Sequence, residues 1–299
     1  MSLDAVFGVP PAPLCLVPPG AAQFSPLVPG SRALEELEEP LGSAVVLAPP
    51  GTIERRYTLA RFIRVLRGPL VALAPKDKGG SRIAKELREF GCEVEEEARQ
   101  HHRICRVSAP ANAVGLEHAI RAGAPRFDEG LGLWTQPGVF SWNRIDPGSA
   151  LLLEQLPPMA GVGADLGGGI GVLARKILSS EAVRELHLLD LDSRAVACAR
   201  RNLPDVRVRF HWADLRQFAG IPVNLDFVVT NPPFHDGGAE DHDLGRAFLA
   251  QAAYLLRAGG VCWVVANRHL PYEELLRSVF LRVNLRAENG AFKIFEAHR

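Results

Sequence analysis

The stretch Leu225-Asp226-Phe227-Val228-Val229 runs directly into Thr230-Asn231-Pro232-Pro233-Phe234-His235. An apolar, β-branched run that stops at two prolines predicts a buried strand, and ligands of open α/β sheets bind where such strands end. Proline lacks an N–H and restricts the residue before it, so the side-chain oxygen of Asn231 and the carbonyl of Pro232 are expected to form a rigid pair of acceptors. That pair suits the N–H groups of an exocyclic amine, and Phe234 offers a flat face on which a planar ring can stack. The plain alternative is a Pro-Pro turn that only closes a strand.

A second motif lies upstream, in Asp165-Leu166-Gly167-Gly168-Gly169-Ile170-Gly171, between a predicted strand and a helix predicted from Val172 to Ser179. The pattern D-x-G-x-G-x-G lets the backbone pass close under a bound ligand, because glycine removes every side chain in the way. It is not the dinucleotide fingerprint, which needs a small residue where this chain has Val172.

Acidic residues end the next two predicted strands. The strand Glu185 to Leu189 leads to Asp190, about twenty residues after the glycine motif, where a carboxylate can accept both hydroxyls of a ribose. Asp192 is its rival, and either acid can instead cap the following helix. The strand Val206 to His211 leads to Asp214, which is placed to meet an adenine amino group or is a solvated loop acid or helix cap.

Strands and helices continue to alternate to the end of the chain. After Asn231 we predict a helix from Leu244 to Arg257, a strand from Val261 to Ala266, a helix after Pro271, and a closing strand pair at Leu281–Glu288 and Phe292–Ala297. This alternation predicts an α/β fold, a doubly wound Rossmann-like sheet of about seven strands with a reversed last strand. A smaller α/β domain is expected over residues 1–127, ahead of the ligand-binding domain over 128–299.

The front half shows no glycine-rich fingerprint. Its predicted helix Thr58–Arg67 carries or follows arginines at 55, 56, 61, 64 and 67, and a second basic group comprises Lys76, Lys78, Arg82 and Lys85. Both groups are candidates for phosphate contacts, or for charges that only keep a helix face soluble. In the helix predicted from Ser81 to Phe90, Ser81 is a candidate N-cap and Gly91 a candidate C′ residue. Residues 130–141 are predicted to form a β-hairpin that turns at Pro137-Gly138.

Composition limits the function classes. The chain has 34 basic and 34 acidic residues, so a nucleic-acid surface must be a local patch. Its five cysteines are scattered without a C-x-x-C pair, which argues against a disulfide framework or a metal centre and fits a reducing cytosol. Prolines interrupt the apolar N-terminus, so we expect no signal peptide there, and no apolar run approaches the roughly 18 residues of a membrane span.

The glycine motif, the two acids and the Asn-Pro-Pro-Phe sequence, in this order, resemble the S-adenosylmethionine-dependent class I methyltransferases that modify exocyclic or amide nitrogens. Further stretches are similar to the ribosomal RNA guanine-N2 methyltransferases: Pro137–Ser141, Ile145–Ser149, Asn231–Gly237, Val265–Tyr272 and Phe292-Lys293. The similarity covers residues 130 to 297 well. This family usually has a longer front domain and often has cysteine where this chain has Gly168.

The resemblance implies S-adenosyl-L-methionine as cofactor and ribosomal RNA or the small ribosomal subunit as partner, in the cytoplasm, without metal or membrane. It implies catalytic roles for Asn231, Pro232 and Phe234. Cofactor binding is implied for Asp165, Gly167, Gly169, Gly171, Asp190, Asp214 and Asn231. Substrate binding is implied for Phe140, Arg144, Phe234, His235, Asn267 and Lys293, although His235 can equally be a solvent-exposed loop histidine.

Two other functions fit the core motif. The same pair of acceptors can hold adenine N6 in nucleic acid or the amide of a protein glutamine, although Phe234 followed by His-Asp-Gly favours guanine. A module that binds the cofactor or RNA without methyl transfer is a function of a different class. The intact Asn231 and both acids argue against it, and a methyl-transfer assay separates the two.

Overall fold

The computed structural model describes residues 3–217, 220–233, 235–236, 239–240, 242–269 and 272–299, without the side chains at 235–236, 239–240 and 242–243. The chain divides into two compact units. The N-terminal unit comprises Met1–Arg126 with Gln136–Gly138, and the C-terminal unit comprises Phe127–Thr135 with Val139–Arg299. No helix in the described ranges combines the length and the apolar composition that crossing a membrane requires.

The N-terminal unit is a six-stranded sheet covered by helices. Its elements are β1 (Leu3–Phe7), β2 (Ala22–Gln23), a 3₁₀ helix (Leu34–Glu36), β3 (Leu41–Leu47), α1 (Thr52–Val65), β4 (Pro69–Pro75), a turn (Lys76–Gly80), α2 (Ser81–Glu89), β5 (Glu95–Arg99), β6 (His102–Ser108) and α3 (Leu116–Gly123). The strand order is β2-β1-β3-β4-β6-β5. Strands β2, β1, β3 and β4 are parallel to one another, β6 runs antiparallel to β4, and β5 runs antiparallel to β6.

Of the two capping predictions for helix α2, the structure confirms one. Ser81 is not the N-cap: Gly80 occupies that position, and no side chain caps the helix. Gly91 is confirmed as the C′ residue, with φ of +85°. Its N–H bonds to the carbonyl of Arg88, and the N–H of Cys92 bonds to the carbonyl of Leu87, which is the Schellman pattern.

Part of the positive charge of the arginine-rich helix α1 is buried in the interior of its unit. It begins at Thr52, earlier than the predicted Thr58, and the added turn brings Arg55 to 0% exposure. Arg61 is also buried and donates to backbone carbonyls, including that of Leu34 at 2.8 Å. Arg56 and Arg64 form ion pairs at the surface. Four of the five arginines of this group are thus engaged within the fold, while Arg67, just after the helix, is exposed, so phosphate contact stays a prediction for that residue.

The remaining elements form a seven-stranded sheet with its helices and two separate two-stranded sheets, β7-β8 and β13-β14. They are β7 (Arg126–Asp128), β8 (Leu133–Thr135), α4 (Pro147–Gln155), β9 (Gly161–Leu166), α5 (Val172–Ile177), β10 (Val183–Asp190), α6 (Ser193–Asn202), β11 (Val208–Trp212), β12 (Leu225–Thr230), β13 (His235–Asp236), β14 (Ala239–Glu240), α7 (His242–Leu255), β15 (Leu256–Asn267), α8 (Tyr272–Val279), β16 (Arg282–Glu288) and β17 (Phe292–His298).

The seven-stranded sheet has the order β11-β10-β9-β12-β15-β17-β16. Its first five strands are parallel, while β17 runs antiparallel to β15 and to β16. The predicted doubly wound sheet with a reversed last strand is thus confirmed. Strand order reverses between β9 and β12, and ligands of such sheets bind beyond the carboxyl ends of the strands at that point. The glycine motif follows β9, and Asn231 follows β12.

The prediction of a β-hairpin that turns at Pro137-Gly138 is wrong. Strand β8 pairs with β7, so the chain reverses between Asp128 and Leu133. The Asp128 side chain accepts from the N–H of Leu131 at 3.0 Å, and the Asp128 carbonyl accepts from the N–H of Gly132 at 2.8 Å. A capping aspartate and the positive φ of Gly132 form this turn, and they outweigh the Pro-Gly signal nearby.

Candidate active site

The glycine motif forms a loop with one packed side and one open side. Gly167, Gly169 and Gly171 have φ values of +73°, +54° and +90°, which favour glycine. A Cβ on Gly168 would lie 2.6 Å from the Leu188 side chain, so this glycine packs against the sheet. A Cβ on Gly169 would meet nothing within 4 Å, so the loop leaves this side open to a ligand.

Asp190 supports this loop from the end of β10. Its Oδ2 accepts from the N–H of Gly169 and its Oδ1 from the N–H of Asp192, each at 2.8 Å. Burial is the largest cause that raises the pKa of Asp190 to about 6. Each carboxylate oxygen keeps a further lone pair for a hydroxyl donor. The rival acid, Asp192, is the N-cap of α6 and pairs with Arg194 at 2.7 Å, which leaves Asp190 as the better candidate.

Asp165 has a fully buried carboxylate without a hydrogen-bond partner within the described residues. Burial, followed by the nearby Asp190, raises the pKa of Asp165 to about 7. A buried polar group without a partner is costly. A positively charged ligand group beside the loop would offset that cost, so the site fits a cationic ligand.

Asn231 is held beside the loop in one orientation. Its Nδ2 donates to Asp146 Oδ2 and to Ser149 Oγ, each at 2.9 Å. A carboxylate only accepts, so the amide nitrogen must face Asp146 and Oδ1 must point to the other side. The carbonyl of Asn231 lies 3.7 Å from the position of a Cβ on Gly167, so the two motifs are neighbours. Just before Asn231, the Thr230 hydroxyl donates to the carbonyl of Leu166 at 2.7 Å and ties the end of β12 to the end of β9.

Asp146 and Ser149 are the contacts that sequence reasoning missed. Asp146 is the N-cap of α4, its Oδ2 also accepts from the Ser149 N–H at 2.8 Å, and Pro147 follows at the first helical position. From the sequence, this stretch is expected to lead into a helix that could cover the cofactor pocket, and it is similar to a family motif. An Asp-Pro-x-Ser sequence before an apolar run is a helix-start signal and could have located the cap. It could not have shown that the same carboxylate reaches Asn231.

Asp214 lies next to the end of β10, because the N–H of Ala213 bonds to the carbonyl of Asp190 at 3.1 Å. Both of its oxygens are engaged by Arg216, with Nε to Oδ1 at 2.9 Å and Nη2 to Oδ2 at 2.7 Å. The hydrogen bond from Arg216 is the largest cause that lowers the pKa of Asp214. An adenine contact would use the lone pairs that this ion pair leaves.

The expected substrate-side residues fall into separate places. Lys293 pairs with Glu273 at 3.4 Å, and the Asn267 side chain accepts from the N–H of His269 at 3.1 Å. The sheet register sets Lys293 opposite Ala266 and Asn267 opposite Phe292, so both lie on neighbouring strands. Phe140 (67% exposed) and Arg144 are exposed before α4. Phe234 and the side chain of His235 lie outside the described residues.

Asn202 ties the glycine loop to strand β8. Its Oδ1 accepts from the N–H of Trp134 at 2.6 Å, and its Nδ2 donates to the carbonyls of Trp134 and Ile170, each at 2.9 Å. The Trp134 ring lies under the guanidinium of Arg201, 4.4 Å from its carbon, and against the edge of Phe127. The hairpin β7–β8 and the loop are therefore one bonded assembly.

Among the described residues, no group of three His, Cys, Asp or Glu side chains is arranged to hold a metal ion. The carboxylates at the strand ends are hydrogen-bond acceptors that fit an organic ligand. The open side of Gly169, the partnerless carboxylate of Asp165 and the remaining lone pairs of Asp190 suit a ligand with a cationic end and a sugar.

A doubly wound sheet with a reversed last strand, a glycine loop and an Asn-Pro-Pro strand end define the Rossmann-like methyltransferases as a class. The Methyltransferase small domain family matches residues 130–296. The ribosomal RNA small subunit methyltransferase C of Pseudomonas paraeruginosa is 33% identical over 286 residues, which cover 93% of this chain and 86% of that protein. That of Idiomarina loihiensis is 38% identical over 167 residues, covering 54% of this chain and 48% of the relative. The chain belongs to the ribosomal RNA small subunit methyltransferase C family.

A solved structure extends this similarity to the whole chain. The T. thermophilus 16S rRNA N2 G1207 methyltransferase, in complex with AdoMet and guanosine, aligns with a TM-score of 0.79 and 26% identity. The alignment covers 100% of this chain and 88% of that protein, so both units have counterparts in it.

Proposed function

We propose that this protein transfers a methyl group from S-adenosylmethionine to the exocyclic N2 amine of a guanine in small-subunit ribosomal RNA. One observation carries the proposal. The amide nitrogen of Asn231 is held by Asp146 and Ser149, so its oxygen points away from them, and within the described residues no donor engages that oxygen. Family membership and the guanosine complex of the T. thermophilus relative support guanine as the acceptor.

The cofactor is assigned to the strand ends of the C-terminal unit. The open side of the loop, with Gly167, Gly169 and Gly171, takes its main body, and Asp165 receives its cationic end. Asp190 accepts from the ribose, and Asp214 lies where the adenine amino group is expected. Asn231 contributes its main chain, since its carbonyl borders Gly167. When bound, S-adenosylmethionine supplies an electrophilic methyl group on a sulfonium.

The acceptor amine is held by two oxygens. Asn231 Oδ1 and the carbonyl of Pro232 accept hydrogen bonds from its two N–H groups. These two hydrogen bonds draw the nitrogen lone pair out of conjugation with the ring and direct it at the methyl carbon. Transfer forms one N–C bond, breaks one C–S bond and leaves a nitrogen acidic enough to lose its proton to water. Holding both reactants in this geometry can lower the barrier by about 7–11 kcal/mol.

The target base must leave its stack, which costs a few kcal/mol. Stacking on Phe234 returns roughly 1–3 kcal/mol of that cost. Phe140, Arg144, His235, Asn267 and Lys293 are assigned to the RNA side of the site, and the exposure of Phe140 and Arg144 suits that assignment.

The partner is ribosomal RNA, either free or in the small subunit, and the reaction takes place in the cytoplasm. The nucleotide at which the T. thermophilus relative acts is the first to examine. We assign residues 1–127 to substrate binding or to a scaffold, and residues 128–299 to methyl transfer.

The test of this function is the variant Asn231→Ala. We expect no transfer of tritiated methyl groups to 16S rRNA and near-normal cofactor affinity by calorimetry, because the main-chain contact with the loop is retained. Weakened cofactor binding with intact turnover would overturn the role of Asn231. Digestion of the labelled RNA separates the functions, since N2-methylguanine supports the proposal and N6-methyladenine contradicts it.

A further inference from the structure

The carboxyl edge of the parallel strands in the N-terminal unit has a filled interior. Strand β3 continues through Ala48-Pro49-Pro50-Gly51 into α1, so a Pro-Pro pair ends this strand as another ends β12. Alanine stands here where β12 is followed by Asn231. This edge therefore lacks the side-chain acceptor assigned to the methyl-transfer site.

Arg55 occupies the space behind the Pro-Pro pair. Its guanidinium forms a two-point ion pair with Glu86, with both distances at 2.7 Å, and donates to the carbonyls of Pro49 and Pro50. A Cβ on Gly79 would overlap Arg55 Nη1, so the turn Lys76–Gly80 closes directly over the arginine. The interior of this edge is thus closed to a ligand and neutral.

The rim around the sealed interior is basic. We call Lys76, Lys78, Arg82 and Lys85 the basic edge. Lys76, Arg82 and Lys85 are exposed, and Lys78 is half-buried. The edge surrounds Arg55, because Lys76 and Lys78 belong to the turn that closes over it and Arg82 donates to the Thr52 hydroxyl that Arg55 also contacts. Lys85 follows Arg82 by three residues on α2 and therefore lies on the same helix face.

The charges of the basic edge are not neutralised by the fold. The acids of α2 are committed to α1, Glu86 to Arg55 and Glu89 to Arg56, and within the described part of the chain none of the four basic residues forms an ion pair. Asp77 is the one carboxylate in the sequence between Lys76 and Lys85. In a chain whose formal charge is zero, this is a concentrated positive surface.

We propose that the basic edge of the N-terminal unit binds phosphate groups of the RNA substrate. The inference rests on the proposed function, which makes RNA the substrate. Lysines that contact phosphates position a nucleic acid without reading its sequence, and each contact adds to the salt dependence of binding. A sealed interior under an unpaired basic rim suits this task, because it presents charge without competing for a base or cofactor.

The test is the triple variant Lys76→Ala, Lys78→Ala, Lys85→Ala in the full-length protein, with a 16S rRNA fragment as the probe. We expect RNA affinity to fall at least tenfold and the slope of log affinity against log salt to decrease by about two to three, at about 0.7–0.9 per lost contact. KM for RNA should rise in parallel, while kcat at saturating RNA and the cofactor Kd stay unchanged. Replacing the same three lysines with arginine should restore affinity.

The matched control removes three positive charges elsewhere in the same unit, through Arg88→Ala, Arg103→Ala and Arg106→Ala. These arginines are already paired with Glu96 and Glu97. An equal loss of affinity in both variants, or no loss in the lysine variant, overturns the basic edge while methyl transfer stands. RNA binding that depends on the lysines, without methyl transfer by the unmodified protein, supports the basic edge and overturns the proposed function.

Discussion

At the scale of single residues, the carboxylate of Asp146 holds both the amide of Asn231 and the start of α4. Asp146→Ala should lower kcat about 100-fold, because a displacement of about 1 Å in the group that grips the acceptor has an effect of that size. Asp146→Asn, which keeps one acceptor, should be intermediate. Single-turnover methyl transfer at saturating cofactor measures the effect.

The matched control is Asp192→Ala, because Asp192 also caps a helix, α6, but makes no contact with Asn231. Both alanine variants should lose about 1 kcal/mol of stability, the usual loss for a cap. A kcat that falls equally in both would mean that Asp146 acts only through helix stability.

The pKa of Asp165, about 7, predicts how cofactor binding depends on pH. Because a cationic group needs the ionised carboxylate, affinity should decrease as the pH falls from 8 to 6, by up to tenfold per unit below the pKa. Calorimetry over this range measures it. Asp165→Asn should bind weakly with a flatter profile, in which only Asp190 titrates, near its pKa of about 6.

The same carboxyl makes the ligand-free protein less stable as the pH rises from about 4 to about 7. In this window the unfolded chain is ionised, with the ordinary pKa of 3.8, while the folded protein keeps the proton. Above the folded pKa the penalty is constant. A melting temperature of the Asp165→Asn variant that follows the same pH curve as the unmodified protein would contradict this assignment.

At the scale of elements, buried apolar runs were the most predictable feature. Strand β12 ends at Thr230 and β17 begins at Phe292, as expected, because a central strand is specified by its own β-branched residues. Asp190 and Asn231 were located for the same reason, since each ends such a run. The doubly wound type of sheet followed from the alternation of strands with helices.

The failures arose where distant contacts decide. Helix α1 looked like an exposed basic helix, but Arg55 meets Glu86, which lies 31 residues away in the sequence. Asp146 reaches Asn231 across 85 residues. No local pattern contains either contact. The Pro137-Gly138 turn failed because Asp128 and Gly132 form a better turn a few residues earlier.

The buried pair between α1 and α2 predicts the largest change in stability. Glu86→Gln should destabilise the protein by about 3–5 kcal/mol, because Arg55 is left charged and buried without a counter-ion. Glu89→Gln removes the partner of Arg56 at the surface and should have little effect. Denaturant unfolding followed by hydrogen exchange in residues 41–108 measures both, and similar results for the two variants would contradict the distinction.

At the scale of the whole molecule, the cysteines report on the intactness of both units. None of the five forms a disulfide; Cys92, Cys105, Cys198 and Cys262 are buried, and Cys15 is half-buried. Burial raises the pKa of Cys92 and Cys105 to about 11 and that of Cys262 to about 12. A thiol reagent at pH 8 should therefore modify one thiol slowly in the native protein and five after denaturation. Rapid modification of two or more in the native state would show that a core opens.

The formal net charge of zero is also a poor description of the surface of the whole molecule. Many arginines are spent on internal ion pairs and carbonyls, as Arg55 and Arg61 are, so the zero sum conceals an unpaired basic surface. Charge counted along a sequence predicts the interaction of a protein with RNA only after the internal pairs are removed.

The three hydrogen bonds of Asn202 give this enzyme a built-in optical signal. They link Trp134 to the carbonyl of Ile170, within the loop assigned to the cofactor. The indole of Trp134 lies between Arg201 and Phe127, so we expect a ligand that displaces the loop at Gly169 to change the emission of this ring through the main chain that Asn202 holds. The part of the fluorescence that is absent from a Trp134→Phe variant would then report cofactor binding in real time, without a label or radioactivity.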